Sequence, residues 1–147
     1  IHHLENVYHE IILESNVTII YNNTYNILNH SCVAFVTSGT ATLETAFFNV
    51  PQIVCYKSSW FSYQIAKMLV KVKYISLVNL ILNKETVKEL IQNDLNDINL
   101  KKNLDQILNK KSYLETILND YKLLKKLCHG NNVPKLTAKE MLKTISS

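Results

Sequence analysis

Short apolar runs, separated by polar or turn-forming residues, predict alternating strands and helices in the first half of the chain. The runs at residues 17–21, 32–36 and 52–56 are rich in β-branched side chains, which is typical of strands. Between the last two runs, apolar residues recur at helical spacing across residues 40–48. A strand, a helix and a strand in this order predict parallel strands joined by a right-handed crossover.

The second half of the chain is predicted to be mainly helical. Ile65, Met68, Leu69 and Val72 have the i, i+3, i+4, i+7 spacing of an amphipathic helix. An extended piece is expected at residues 74–77. Further helices are predicted in this half at residues 85–92, 100–108, 113–127 and 138–145. Two short helices are predicted in the first half, at residues 4–13 and 25–28. The expected fold class is therefore α/β, with half of a parallel sheet followed by a helical tail.

Charge is distributed unevenly along the chain. Residues 1–56 contain four acidic residues and no lysine, whereas residues 57–147 contain all sixteen lysines and eight acidic residues. This positive excess favours anionic partners, either phosphates or an anionic membrane surface. We expect no nucleic-acid partner, because no basic stripe is interleaved with stacking aromatic side chains. We also expect no transmembrane helix, because polar residues interrupt every long apolar run.

The residues that most often bind metals or act as nucleophiles form no recognisable set. Cys32, Cys55 and Cys128 are odd in number and widely spaced, which fits neither a disulfide framework nor a metal site and favours a reducing cytosol. The five histidines lack metal-ligand spacing, and no Ser/His/Asp set is apparent. We therefore expect no metal and no cofactor, and the catalytic residues stay unknown.

Ser38-Gly39-Thr40 lies where a predicted strand ends and a predicted helix begins. Gly39 is one of only two glycines in the chain, and it allows the backbone to approach a ligand closely. Free backbone N–H groups at the start of a helix, with two hydroxyl groups beside them, suit a phosphate. The alternative is an ordinary helix cap formed by Ser38.

Glu44 follows Thr40 by one helical turn, so both side chains lie on the same face of the predicted helix. Its carboxylate has two acceptor oxygens that suit a pair of ribose hydroxyls. A solvated acidic residue near the start of a helix is the alternative interpretation.

Five segments together resemble the lipid-A-disaccharide synthases. Ser38-Gly39-Thr40-Ala41-Thr42-Leu43-Glu44 is similar to the signature of that family. The other four segments follow in the family's order and spacing and are Pro51-Gln52-Ile53-Val54-Cys55-Tyr56-Lys57, Ile65-Ala66-Lys67, Tyr74-Ile75-Ser76-Leu77-Val78-Asn79 and Lys88-Glu89-Leu90-Ile91-Gln92. One departure is Val78, where many members have proline.

The resemblance implies a GT-B glycosyltransferase fold, in which two Rossmann-like domains face a cleft. Residues 1–92 would form part of the carboxyl-terminal, UDP-sugar-binding domain. Residues 93–147 would form carboxyl-terminal helices that pack on this domain or on a partner subunit. We expect the chain to be the carboxyl-terminal part of a longer protein and to be inactive alone, because the family's amino-terminal domain would supply the general base and the acceptor site.

The resemblance also implies a set of substrate-binding residues. These are Ser38, Gly39, Thr40, Glu44, Lys57, Asn79 and Gln92. The first three would hold the pyrophosphate of a UDP-sugar and Glu44 would bind its ribose. Lys57 would lie near the phosphates, and the last two match polar positions that line the cleft.

The implied reaction is inverting and metal-independent. It transfers 2,3-diacylglucosamine from UDP to 2,3-diacylglucosamine 1-phosphate, which gives a β-1,6-linked disaccharide and UDP. The acylated substrates imply a cytoplasmic protein associated peripherally with the inner face of the bacterial inner membrane, and Trp60 and Phe61 are compatible with that. A homodimer is a further expectation, since terminal helices of this family can be exchanged between subunits.

Two other functions are compatible with the same residues. One is a different UDP-sugar GT-B enzyme, such as a peptidoglycan glycosyltransferase or a UDP-GlcNAc epimerase. The other is a non-enzymatic helical interaction module formed by residues 85–147.

Overall fold

The computed structural model of the chain describes residues 17–58 and 73–129. They divide into two compact units, of which the first ends at His30 and the second begins at Ser31. The predicted helices at residues 4–13, 65–72 and 138–145, together with Trp60 and Phe61, lie outside the described residues.

In the first unit, the described part contains one helix, α1 (Thr24–His30), as the sequence predicts. The prediction of a strand at residues 17–21 is wrong, because this segment has no strand structure. Val17, Ile20 and Tyr21 are each at least half exposed. Their β-branched and aromatic character is not sufficient, because a strand also needs a pairing partner and a buried face.

A three-stranded parallel sheet forms the basis of the second unit. Its strands are β1 (Ala34–Thr37), β2 (Gln52–Tyr56) and β3 (Lys88–Ile91), with β2 in the centre. Helix α2 (Ala41–Phe47) connects β1 to β2 and packs against both strands. The predicted succession of parallel strand, helix and parallel strand is therefore confirmed.

The segment from residue 74 to residue 94 differs from the sequence prediction. Helix α3 (Leu77–Leu82) begins where an extended piece was expected to end. The prediction of a helix at residues 85–92 is wrong, because β3 and a short 3₁₀ turn (Gln92–Asp94) occupy this region. Pairing with β2, which is remote in sequence, and burial of Leu90 stabilise the strand over the local helical pattern.

Two longer helices, α4 (Asp97–Asn109) and α5 (Lys111–Cys128), confirm the helices predicted at residues 100–108 and 113–127. Helix α4 packs on β2 and β3, and α5 packs on α2, α3 and α4. One core joins all of these elements, and its fully buried members include Ile53, Val54, Leu90, Ile117, Tyr121 and Leu124.

The second unit is thus a partial, Rossmann-like α/β arrangement that continues into helices, which agrees with the expected fold class. Across residues 17–58 and 73–129, every helix is too short or too polar to cross a membrane.

Candidate functional site

The carboxyl ends of three adjacent parallel strands meet at one edge of the sheet. Ser38-Gly39-Thr40 follows β1, Lys57 follows β2, and Gln92 follows β3. Ligands of open parallel sheets bind outside this edge, where the loops after the strands converge. The structure therefore brings five of the seven predicted binding residues to the loops of one edge.

The Ser-Gly-Thr loop has an unusual backbone conformation at its glycine. Gly39 has a φ of +136°, which L side chains rarely adopt, and a Cβ at this position would meet no atom of the described residues within 4 Å. Within the described residues, the backbone N–H groups of Thr40 and Ala41 have no hydrogen-bond partner. Unpaired N–H donors beside open space are suited to an anion.

The hydroxyl group of Ser38 has a structural partner. It donates a hydrogen bond of 2.8 Å to the carbonyl oxygen of Ile75, which lies just before α3. The alternative that Ser38 caps α2 is wrong, because Thr40 occupies the N-cap position and makes no side-chain cap. Ser38 therefore ties the loop after β1 to the segment before α3.

Two charged side chains lie near this edge. Glu44 is half-buried in α2, one turn after Thr40, and Lys57 is exposed directly after β2. Within the part of the chain that the structure describes, neither side chain has a hydrogen-bond or ion-pair partner. Both charges are available to a ligand.

Gln92 connects the ends of β2 and β3. Its backbone has a φ of +54°, and its side-chain Oε1 accepts a hydrogen bond of 3.1 Å from the backbone N–H of Ser58. This left-handed conformation is uncommon for a residue other than glycine, so local contacts must maintain it. The bond fixes the Gln92 amide at the edge where the strands end.

Asn79 lies in the core and not in the loops that follow the strands. Its side chain is 0% exposed. Its Oδ1 accepts from the backbone N–H groups of Thr86 and Val87, and its Nδ2 donates to Val87 O and to Glu89 Oε1. These four bonds use the full hydrogen-bonding capacity of an amide. The placement makes Asn79 a support for β3 and leaves it no surface for a ligand.

Glu89 is a residue that the sequence analysis did not identify. Its carboxylate accepts hydrogen bonds of 2.9 Å from the backbone N–H groups of Ile75 and Ser76, and one of 2.8 Å from Asn79 Nδ2. The predicted helix at residues 85–92 would have placed it on a solvated turn. An assignment of residues 88–91 to a strand would have been needed to identify Glu89 from the sequence.

A polar cavity of about 480 Å³ lies between β3 and α4. It is lined in part by Glu85, Lys88, Asp94 and Tyr113, and none of the seven predicted binding residues lines it. The hydrogen bond from Lys88 to Glu85 raises the pKa of Lys88, and burial raises the pKa of Tyr113. In the described segments, no group of three His, Cys, Asp or Glu side chains could hold a metal ion.

Comparison with known proteins gives one consistent result. A family model described as lipid-A-disaccharide synthetase matches residues 1–142. A lipid-A-disaccharide synthase of Wigglesworthia glossinidia brevipalpis is 39% identical over 124 residues, which are 84% of this chain and 32% of that protein. The one of Acinetobacter baylyi is 35% identical over 105 residues, which are 71% of this chain and 26% of that protein. The chain thus spans between a quarter and a third of the length of these two relatives.

Proposed function

The chain belongs to the lipid-A-disaccharide synthase family, and from this premise we propose that it supplies the UDP-sugar-binding part of a bacterial glycosyltransferase. The observation that carries the proposal is the convergence of the Ser-Gly-Thr loop, Lys57 and Gln92 at the carboxyl edge of the sheet. Nucleotides bind at this edge in folds of the Rossmann type.

The pyrophosphate of the UDP-sugar lies against the loop at Ser38, Gly39 and Thr40 in this proposal. The unpaired N–H groups at the start of α2 donate to the phosphate oxygens, and the Lys57 ammonium group balances their charge. These donors are fixed before the reaction starts. They therefore stabilise the negative charge that develops on the departing UDP.

Glu44 binds the ribose. It lies one helical turn beyond the Ser-Gly-Thr loop and has no partner of its own among the described residues. Its two oxygens accept hydrogen bonds from the two ribose hydroxyls. Gln92 faces the same edge, whereas Asn79 contributes by supporting β3 from within the core.

The reaction proposed for the whole enzyme forms a β-1,6-linked lipid A disaccharide. A hydroxyl of 2,3-diacylglucosamine 1-phosphate attacks the anomeric carbon of UDP-2,3-diacylglucosamine, and UDP leaves from the opposite face, so the configuration inverts. We assign no catalytic base to this chain and propose that it is inactive without the rest of the enzyme. The proposed reaction requires neither a metal nor a cofactor.

The substrates define where such an enzyme works. Both carry acyl chains, so we propose peripheral association with the cytoplasmic face of the inner membrane, supported by the excess of lysine after residue 56. A homodimer that involves the carboxyl-terminal helices is part of the same proposal. The family match favours lipid A disaccharide formation over peptidoglycan synthesis or epimerisation.

Calorimetric titration of UDP into the 147-residue chain tests this proposal, after circular dichroism has shown that the chain is folded. The chain should bind UDP, and Glu44→Ala should weaken binding by about tenfold to a hundredfold, because hydrogen bonds to a charged group are lost. Glu115→Ala, an exposed carboxylate on α5, is the matched control and should change little.

Two results would contradict the proposal. One is a folded chain that binds no UDP. The other is a folded Glu44→Ala variant that binds UDP as tightly as the native chain, which is also the outcome that a non-enzymatic helical module predicts.

A further inference from the structure

We propose that Glu89 is a positioning residue of the nucleotide site, because it holds the Ser-Gly-Thr loop in place through Ile75. The inference rests on the proposed function, because it assigns a role within that same site. Glu89 itself lies in β3 and makes its contacts with the segment that leads into α3.

The carboxylate of Glu89 is held in one orientation by three donors. Oε2 accepts from the N–H of Ile75, while Oε1 accepts from the N–H of Ser76 and from the Asn79 amide, at 2.8 to 2.9 Å. Hydrogen bonds to an ionised carboxylate are shorter and stronger than neutral ones. The segment at Ile75 and Ser76 therefore has a defined position relative to β3.

The same segment also bonds the Ser-Gly-Thr loop. The N–H of Ile75 donates to Glu89, and the carbonyl oxygen of Ile75 accepts a hydrogen bond of 2.8 Å from the Ser38 hydroxyl group. Glu89, Ile75 and Ser38 thus form a continuous chain of hydrogen bonds from β3 to the loop after β1. A displacement of Ile75 must move Ser38 or break its bond.

The other end of this chain of hydrogen bonds is buried and fully bonded. Asn79 is saturated with hydrogen bonds and fully buried, and Thr86, which donates to it, also bonds Asp120 of α5 at 3.2 Å. A change at Glu89 is therefore relieved on the side of Ile75 and Ser38, where the structure is more exposed.

A purely structural role for Glu89 is the competing explanation. Helix α3 already has its own cap, since Ser76 Oγ accepts from the backbone N–H of Asn79 at 3.3 Å. A structural carboxylate would affect the free energy of unfolding and leave UDP affinity unchanged in the folded protein. A positioning residue changes the affinity itself.

The first variant is Glu89→Gln, tested in the 147-residue chain by UDP titration. An amide in place of the carboxylate presents an NH₂ group to one of the two backbone N–H donors, so Ile75 or Ser76 must move. We expect UDP affinity to fall by about tenfold in the folded variant. Glu85→Gln, an exposed carboxylate just before β3, is the matched control and should stay within about twofold of the native affinity.

A double-mutant cycle with Ser38→Ala separates the two explanations. If Glu89 acts through Ser38, the variant with both changes binds UDP about as weakly as the weaker single variant. Losses of affinity that add in the double variant would overturn the proposal, because they would make the two residues independent.

Amide NMR spectra keep the inference testable if Glu89→Gln does not fold. Ser38→Ala alone should then shift the Ile75 amide resonance, because Ile75 bonds both Ser38 and Glu89. An unchanged Ile75 resonance would overturn the proposal.

The same spectra separate this inference from the proposed function. If the folded native chain binds no UDP, the proposed function fails. The positioning role is then decided by the Gly39 and Thr40 amide resonances, which should move in Glu89→Gln and stay unchanged in Glu85→Gln. Resonances that stay unchanged in both variants would reject it.

Discussion

Gly39 gives the Ser-Gly-Thr loop a backbone angle that other residues rarely adopt. Its φ of +136° is unfavourable for any side chain, although a Cβ would meet no atom of the described residues within 4 Å. Gly39→Ala should therefore lower the free energy of unfolding through backbone strain and not through a clash, by about 1–3 kcal/mol. Urea unfolding measures this change. Thr40→Ala, at an ordinary φ of −62°, is the control, and equal stabilities for both variants would argue against strain at residue 39.

Tyr121 links stability to alkaline pH. Burial raises the pKa of its phenol, and the hydrogen bond from Gln52 Nε2 at 3.2 Å opposes this effect only in part. The unfolded side chain ionises near pH 10, whereas the folded one stays neutral above that. The free energy of unfolding should therefore lose this contribution as the pH rises above about 10.

Tyr121→Phe isolates that contribution. The decline in the free energy of unfolding above about pH 10 should be shallower in the variant, as measured by urea unfolding at each pH. Tyr21→Phe, at an exposed position, serves as the control. An equally steep decline in Tyr121→Phe and in the native chain would mean that Tyr121 does not produce it.

At the level of elements, local pattern predicted some structures and failed for others. The bounds of β2 follow from its sequence, because Pro51 precedes a run of apolar residues that becomes the centre of the sheet. Lys88 and Glu89 give β3 no such pattern. It exists because its backbone pairs with β2, about thirty-five positions earlier in the chain, and no local window contains that information.

The start of α4 depends on one side chain. Asn96 has extended backbone angles, and its side chain accepts a hydrogen bond of 3.0 Å from the backbone N–H of Asn99. Asn96→Ala should lower the free energy of unfolding by about 0.5–2 kcal/mol, as for other lost helix caps. Thermal or urea unfolding measures the loss. Lys101→Ala, on an exposed turn of the same helix, should be nearly neutral, and a neutral Asn96→Ala would show that the cap is dispensable.

For the molecule as a whole, helix α5 is part of the core of the second unit. Leu124 is 0% exposed and Leu123 is 48% exposed, so the two neighbours form a matched pair. Leu124→Ala should lower the free energy of unfolding of the unit by about 2–5 kcal/mol, whereas Leu123→Ala should change it little. Similar unfolding curves for the two variants would mean that α5 is not packed as described.

The candidate site was predictable where it depends on chain order and not where it depends on tertiary contacts. The Ser38 loop and Lys57 each follow a strand that the sequence indicates, so their common edge could be expected from parallel topology. Asn79 and Glu89 meet through a side-chain hydrogen bond between separate elements, and Glu89 also accepts from the backbone N–H of Ile75. Their pairing depends on how β3 packs. It could not be predicted, because residues 85–92 were predicted to be a helix.

The bonds that shape the site also determine when it can form. Ser38 and Ile75 are 37 positions apart in the chain, and Ser58 and Gln92 are 34 positions apart. Closing loops of this length loses conformational entropy before any contact compensates for it, so such contacts form slowly. We therefore expect the helices to form before these loops do during refolding. Under the proposed function, nucleotide affinity should appear only in the step that completes the sheet.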